Sequence, residues 1–426
     1  MQLTYNNKHP WPVSESKQNV GLKIMFFILW PFGAWLYCLR NPRSRVSYAI
    51  FFMFSLLLLW HMAPTNFGDG YHDFLGIKER FDQAHFTTLD IKEECIKFFT
   101  FADDAPKEVY EDVLTWFVKQ FTDNYHFFFL LAAIPVAFFQ LRSLRRVTSD
   151  SMFIPGFFGL IAMIMMILPR DMVATQNPRF TTGFWLAVFC SLYCFSEKKI
   201  KLKYILPLLL LPAIHGGLWP CLIMTLVFLI IPKNIKVLKL IAIITIPFVF
   251  IDPQIVSYFD FSILPDSFSW IERGFSEENY AIRILHEGRA GFWWVDAFFT
   301  WGLKITLLCM AIMLFRNEKA VHKNTESHNF YSFFLFSFAY INLMQFFPEA
   351  GNRYYGMWKI FVFYTWYKTF HFSKPVVYYL LLFFCSWYML NRYGYVLGGA
   401  LSVNTPLDIF ITPLPYLVGK GLWWGV

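Results

Sequence analysis

Long apolar stretches separated by short polar loops run along nearly the whole chain. They do not alternate between apolar and polar residues, which favours helices over the strands of a membrane barrel. A spanning helix needs roughly 20 apolar residues, and its backbone polar groups pair within the helix. The pattern predicts about twelve such helices, several with only about 16 apolar residues. We expect them near residues 23–39, 46–62, 125–141, 152–168, 181–195, 204–217, 219–232, 238–251, 291–315, 329–346, 357–372 and 375–390.

The composition of the chain supports lipid as its solvent. Of 426 residues, 57% are hydrophobic, 21% are aromatic and only 15% are charged. This is too apolar for an ordinary soluble domain. The sequence therefore predicts an all-α, multi-pass membrane protein in which residues 1–426 form a single transmembrane domain.

Basic residues in the short loops indicate the orientation of the chain. Loops on one side of the predicted membrane contain Arg40, Arg43, Arg45, Arg142, Arg145, Arg146, Lys198, Lys199, Lys201, Lys203, Lys233, Lys236, Lys239, Arg316, Lys319 and Lys323. The positive-inside rule makes that side cytoplasmic. The net charge of +8 is thus a topology signal, and we expect membrane lipid, not nucleic acid, as a partner.

Two loops on the opposite, outer side are long, residues 63–124 and 252–290. The first holds 13 acidic against 6 basic residues and has helical patterning. Loops of this length are either functional or disordered. The second contains His286 and Arg289, which fit a substrate lid or an amphipathic helix lying on the headgroups.

A pair of carboxylates opens the first long loop. If a helix begins here, Asp69, Asp73 and Arg80 share one of its faces. Such a pair can perform acid–base catalysis, and Tyr71 between them offers an aromatic face to a sugar. The alternative is that Asp69 or Asn66 only caps the helix.

Three arginines lie on the outer side, where the positive-inside rule disfavours them. They are Arg170, Arg179 and Arg353, the last followed by Tyr354. Arginine can hold a phosphate or carboxylate with two donors. Arg170 can instead pair with Asp171, and the tyrosine can belong to the interfacial aromatic belt. Arg179 has no acid beside it in sequence, which favours a functional role.

His215 is followed by two glycines at the outer end of a predicted span. A histidine in apolar surroundings is usually structural. Gly216 and Gly217, however, permit another backbone or a ligand to approach closely. Lys304 lies inside a span, where it can function, snorkel or pair.

Metal binding is left open by the sequence. Asp69, His72 and Asp73 can supply ligands to a divalent ion that bridges a diphosphate, but no spacing requires one. Arginine can neutralise the same charge. We therefore assign no metal and expect no cofactor.

These elements together resemble EpsG-like polysaccharide polymerases, which are Wzy-type proteins of exopolysaccharide, O-antigen and capsule assembly. The resemblance covers most of the chain in the same order and rests on Asp69 with Tyr71 and Asp73, Arg179, His215 with Gly216 and Gly217, and Arg353 with Tyr354 and Tyr355. The sequence Ile214-His215-Gly216-Gly217 departs from the family's common Phe-His-x-Ser, and the first outer loop is unusually long and acidic.

The resemblance implies transfer of an oligosaccharide from an undecaprenyl-diphosphate carrier to a lipid-linked repeat unit at the periplasmic face of the bacterial inner membrane. It also implies an architecture like that of GT-C glycosyltransferases, and it leaves a flippase and a chain-length regulator open as partners. We expect Asp69 as general base, Asp73 as its alternate, and His215 as an orienting group. Arg80, Arg170, Arg179, Arg353, Tyr71 and Tyr354 are expected to bind substrate.

Two rival functions share parts of this pattern. A glycosyltransferase using undecaprenyl-phosphate sugars, or an O-antigen ligase, would use the same outer carboxylates and arginines. A flippase or transporter of lipid-linked oligosaccharide would place polar residues nearer the bilayer midplane and would show repeated halves. The chain has no evident internal repeat, and nearly all candidate charges lie at span ends, which favours surface chemistry.

Overall fold

The computed structural model describes residues 15–61, 69–148, 178–195, 200–250, 293–324, 328–346, 348–395 and 408–423. Throughout these ranges the regular elements are helices, as expected for an all-α fold. The helices are α1 Lys17–Leu29, α2 Pro31–Cys38, α3 Arg45–Trp60, α4 Asp69–Gln83, α5 Thr88–Thr100, α6 Tyr110–Lys119, α7 His126–Thr148, α8 Pro178–Phe195, α9 Leu211–Ile214, α10 Trp219–Ile230, α11 Ile235–Ile244, α12 Trp293–Arg316, α13 Glu318–Asn324, α14 His328–Leu343, α15 Pro348–Phe370, α16 Pro375–Tyr395, α17 Asp408–Ile411 and α18 Leu414–Trp423.

The chain divides into two compact units. The first contains residues 1–189, 210–216 and 389–426, and the second contains residues 190–209 and 217–388. The expectation of one transmembrane domain over the whole chain stays a prediction.

The long loop at residues 63–124 belongs to the first unit and is largely helical, as its pattern indicated. It forms α4, α5 and α6, and α4 begins at Asp69. Ile77 and Phe81, one turn apart on α4, are buried in an apolar cluster with Val118 of α6 and Phe128 of α7. This packing fixes α4 against α6 and sets the position of Arg80, the residue before Phe81.

An aromatic core holds the second unit together. Phe195, Phe228 and Phe333 form a mutually packed group, with ring centroids 4.3–5.2 Å apart. Gly302 of α12 is required by packing, because a Cβ atom at that position would overlap the ring of Phe384 on α16. Helices α12 and α15 also contact each other.

Several helix boundaries differ from those expected from the apolar runs. The stretch predicted near 23–39 is two helices, because the chain leaves helical geometry at Trp30 and restarts with Pro31. The stretch near 204–217 consists of short helical turns that end at His215. Helix α15 begins at Pro348, nine residues before the predicted start at 357, so Arg353 lies in its second turn.

Two described helices are long and apolar enough to cross a bilayer, at His126–Thr148 and Phe298–Arg316. Shorter apolar helices of 10–17 residues occupy Arg45–Trp60, Leu202–Ile214, Gly216–Ile230 and Pro375–Trp387. The count of about twelve spans stays a prediction, and the stretch expected near 152–168 lies outside the described residues.

Candidate functional site

Three helices bring charged side chains of the first unit to one place. Arg80 comes from α4, Glu111 and Asp112 from the first turn of α6, Glu108 from the residues just before it, and Arg179 from the start of α8. We call these five residues the carboxylate–arginine cluster. The carboxylates at the start of α6 are favoured by the positive end of the helix dipole.

Arg179 is held by two carboxylates. Its Nη1 donates to Oε1 of Glu108, and its Nε lies 3.0 Å from Oε2 of Glu111. The latter contact is electrostatic, since neither atom makes a hydrogen bond. The side chains of Arg179 and Glu108 are 18% and 17% exposed, so the guanidinium is largely withdrawn from water and mostly neutralised.

Arg80 binds the other side of Glu111 and remains accessible. Its Nε and Nη2 lie 2.9 and 2.8 Å from Oε1 of Glu111, whose side chain is only 7% exposed. The Arg80 side chain is 54% exposed, and in the described part of the chain Glu111 is its hydrogen-bonding partner. Because a guanidinium has five donors, Arg80 can bind an incoming anion while it keeps Glu111.

Asp112 is the acid of the cluster whose pKa is shifted most. Burial and then the charge of Glu111 raise the pKa of Asp112 to about 6, against an opposing effect of Arg80. Its carboxylate makes no hydrogen bond to any residue within the described ranges. Burial likewise raises the pKa of Glu108, although Arg179 and the Gly216 amide act against it. A carboxylate with a pKa near 6 is suited to accept a proton at neutral pH.

The start of α6 is anchored by bonds to α8 and α9. The Val109 amide donates to the Ala213 carbonyl over 3.1 Å, and the hydroxyls of Tyr110 and Thr182 share a hydrogen bond of 3.4 Å. Burial raises the pKa of Tyr110 to about 12, so it stays protonated. These bonds fix Glu108 and Glu111 where they meet Arg179.

His215 and Gly216 lie beside this cluster. The Gly216 amide donates to Oε2 of Glu108 over 3.3 Å. A Cβ atom at Gly216 would lie 3.6 Å from the Lys107 carbonyl oxygen, an ordinary contact, so glycine is not sterically required. The His215 ring packs edge-on against Phe180 at 5.4 Å.

The structure describes the remaining predicted site residues only in part. Asp69, Tyr71 and Asp73 lie in the first two turns of α4, which puts Asp69 and Asp73 on the helix face of Arg80, as predicted. Their side chains and that of Arg353 are not described, and Arg170, His286 and Arg289 lie outside the described residues. Tyr354 is buried in the second unit, and its hydroxyl donates to the Gly217 carbonyl.

Sequence reasoning missed Glu108, Glu111 and Asp112. They are three of 13 acidic residues in one loop, and nothing in the sequence shows which of these become buried. One signal was available, since residues 108, 111 and 112 have the three- and four-residue spacing of a single helix face after Pro106. Arg179 has no acid beside it in sequence, but the fold brings Glu108 and Glu111 against it.

No group of three or more histidine, cysteine or acidic side chains has metal-binding geometry among the residues whose positions are described. The side chains of Asp69, His72 and Asp73 are not among them. The accessible guanidinium of Arg80 can supply positive charge toward a phosphate instead.

Comparison of the chain with protein-family models, curated proteins and solved structures finds no match.

Proposed function

We propose that the chain is a multi-pass inner-membrane polysaccharide polymerase of about twelve spans. It transfers glycan from an undecaprenyl-diphosphate carrier to a lipid-linked repeat unit at the periplasmic face. The observation that carries this proposal is the carboxylate–arginine cluster, in which Asp112, with a pKa of about 6, lies near the accessible guanidinium of Arg80. A proton acceptor beside a phosphate-binding group is what glycosyl transfer from a diphosphate requires.

In the proposed reaction, the acceptor hydroxyl attacks the anomeric carbon of the donor sugar. A new carbon–oxygen bond forms, and the bond from that carbon to the diphosphate oxygen breaks. The hydroxyl proton moves to the Asp112 carboxylate. The electron pair of the broken bond goes to the diphosphate, where Arg80 stabilises the developing negative charge.

The cluster changes the roles that the resemblance implies. Arg179 positions Glu108 and Glu111, since both carboxylates hold it. Arg80 is the phosphate-binding arginine of the cluster. Asp69, implied by the resemblance as general base, lies eleven residues before Arg80, or about 16 Å along α4. In our proposal Asp69 and Asp73 position the acceptor, and the base is Asp112.

Transport of an anionic lipid-linked glycan is the second candidate function. It is favoured by two lysines, Lys304 and Lys359, halfway along α12 and α15. Charges in the middle of membrane helices commonly mark substrate pathways. A ligase or a single-sugar transferase would use the carboxylate–arginine cluster in the same way as a polymerase.

Complementation of a deletion strain tests the proposal. Asp112→Asn should give no polymer while single lipid-linked repeat units accumulate, because the proton acceptor is lost but substrate binding remains. Asp123→Asn is the matched control, since this aspartate of the same loop has a side chain 89% exposed.

Glycan length on gels and the lipid-linked intermediates are the readouts. Normal chain lengths in the Asp112→Asn strain would overturn the assignment of the base. Repeat units trapped on the cytoplasmic leaflet of the deletion strain would support the transporter instead. Loss of glycan attachment with normal polymer would indicate a ligase.

A further inference from the structure

A polar cavity of about 280 Å³ lies in the first unit, away from the carboxylate–arginine cluster. Its walls come from the first half of α1, the end of α2 and the residues that flank these helices, and they include Glu15, Lys23, Tyr37, Arg40 and Asn41. Pockets for drug-sized ligands have roughly 300–1,000 Å³, so this cavity suits a small polar group.

The buried ammonium group of Lys23 is fully partnered. It donates to Oε1 of Glu15, to Oγ of Ser47 over 2.7 Å and to Oγ of Ser44 over 3.3 Å. An ammonium group has three donors, so these acceptors use all of them. Lys23 therefore neutralises Glu15 and holds it in place, and it has no donor left for a ligand.

One oxygen of the Glu15 carboxylate lacks a donor. The Glu15 side chain is only 7% exposed. Its Oε1 accepts from Lys23 and, over 3.0 Å, from Nδ2 of Asn41. Its Oε2 is buried and accepts no hydrogen bond within the described ranges. Buried polar atoms normally find partners, so Oε2 calls for a ligand that brings a hydrogen-bond donor.

Arg40 offers a positive charge in the same cavity. It is exposed, and its guanidinium carbon lies 5.2 Å from the ring centroid of Tyr37, which is its partner in the part of the chain that the structure describes. A guanidinium has five donors in a planar fork that matches the oxygens of a phosphate. Arg40 can therefore bind an anion while it keeps its contact with the ring.

We propose that this cavity binds a phosphoethanolamine group. The ammonium of the ligand donates to Oε2 of Glu15, and Arg40 binds the phosphate oxygens. A purely anionic ligand would use Arg40 but would leave Oε2 of Glu15 without a donor. The proposal does not depend on the polymerase activity, because Glu15 and Arg40 lie outside the carboxylate–arginine cluster.

An exposed apolar face of α1 favours a membrane lipid as the source of this group. Leu22, Met25 and Leu29 are 42–58% exposed and recur at three- and four-residue spacing on the helix that carries Lys23. In a membrane this face contacts acyl chains. Arg40 belongs to a basic loop, which the positive-inside rule places at the cytoplasmic leaflet. The headgroup is thus that of phosphatidylethanolamine in this leaflet.

Lipid binding to the purified full-length chain tests the site. Native mass spectrometry from detergent micelles would measure the affinities for phosphatidylethanolamine and for phosphatidylcholine, whose ammonium group has the same charge but no N–H donor. Wild type should prefer phosphatidylethanolamine by about tenfold, as expected for one charge-assisted hydrogen bond. Equal affinities for the two lipids would mean that the headgroup does not donate to Glu15 and would overturn the site.

Two variants separate the two contacts. Glu15→Gln should bind both lipids equally, because an amide NH2 replaces the free acceptor Oε2. Arg40→Gln should weaken the binding of both lipids by about tenfold and keep the preference, because both contain the phosphate. Arg45→Gln is the matched control, since Arg45 is an exposed arginine five residues further along that does not line the cavity.

The control should change binding by less than about twofold. Equal losses in Arg40→Gln and Arg45→Gln would mean that only the basic charge of the loop attracts lipid, which would overturn the site. Because Arg40 is exposed, Arg40→Gln should melt at the wild-type temperature without added lipid. It therefore keeps the test decisive even where Glu15→Gln, which removes the counter-charge of Lys23, is too unstable to purify.

Competition identifies the source of the phosphoethanolamine group. Lipid binding that persists in excess glycerophosphoethanolamine would support the membrane lipid. Displacement at equal concentrations would support a soluble phosphoethanolamine compound in the same site. Displacement by diacylglycerol alone would mean that only acyl chains bind and would overturn the headgroup site.

Discussion

The meaning of each charged residue in this chain depends on which other charges fold against it. Arg179 stands out in the sequence as an arginine on the disfavoured side of a predicted membrane, yet Glu108 and Glu111 hold it. Arg80, in the last turn of α4, is the accessible guanidinium. The sequence predicts substrate binding for both arginines, and only the fold shows that they differ in exposure, with side chains 54% exposed for Arg80 and 18% for Arg179.

Removal of Arg179 should be strongly destabilising. Arg179→Met leaves the largely buried carboxylate of Glu108 without its cation and Glu111 with Arg80 alone, and we expect the free energy of unfolding to fall by about 3 kcal/mol. Denaturant titration of the detergent-solubilised protein measures this. Addition of Glu108→Gln to Arg179→Met should restore part of the loss, and strictly additive effects of the two changes would argue against the pairing.

Asp112 should make stability depend on pH. Its pKa is raised in the folded protein from an ordinary 3.8 to about 6, so its protonated form is the one that favours folding. That contribution is fully present below about pH 4 and is lost as the pH rises through 6.

The melting temperatures of wild type and Asp112→Asn should therefore coincide near pH 4 and diverge as the pH rises through 6, with the variant more stable. Thermal scans at a series of pH values provide the comparison. A constant difference between the two proteins across that range would mean that Asp112 has an ordinary pKa.

At the scale of elements, the apolar pattern predicted most helices but not all of their ends. It indicated the helical character of residues 63–124 and the start of α4 at Asp69, because periodicity and local composition carry that information. It joined α1 to α2 across Trp30 and began α15 too late. A run of apolar residues does not show where one apolar helix ends and the next begins. It also leaves out the first turns of a long helix when those turns are polar.

The packing of α4 should control the cluster from a distance. Phe81→Ala removes a fully buried ring next to Arg80 and should cost about 3–5 kcal/mol. Hydrogen exchange should then increase through α4 and α6, because α4 loses its anchor on Val118 and Phe128. Phe121→Ala is the control, since this ring is 75% exposed, and an equal increase in exchange in both variants would contradict the anchor role.

At the scale of the whole molecule, nothing in the sequence shows which three of the 13 acidic residues in 63–124 gather around Arg80 and Arg179. Loop charges did predict an orientation, with residues 63–124 outside and the basic loops inside. Single cysteines in a cysteine-free background test it.

A membrane-impermeant maleimide should label Asp123→Cys in intact cells with a permeabilised outer membrane. It should label Lys319→Cys only after lysis, because Lys319 lies in a basic loop. Labelling of Lys319→Cys alone in intact cells would reverse the proposed topology. Labelling of both positions in intact cells would rule it out.

Glycan transfer by the purified protein tests the central claim most directly. Wild type, Asp112→Asn and Asp123→Asn would be placed in nanodiscs and given lipid-linked repeat units extracted from the deletion strain, and product length would be read on a gel. We expect wild type and Asp123→Asn to build ladders of increasing length and Asp112→Asn to leave the repeat units single. Ladders of equal length from all three proteins, or none from wild type, would contradict a polymerase that acts through the carboxylate–arginine cluster.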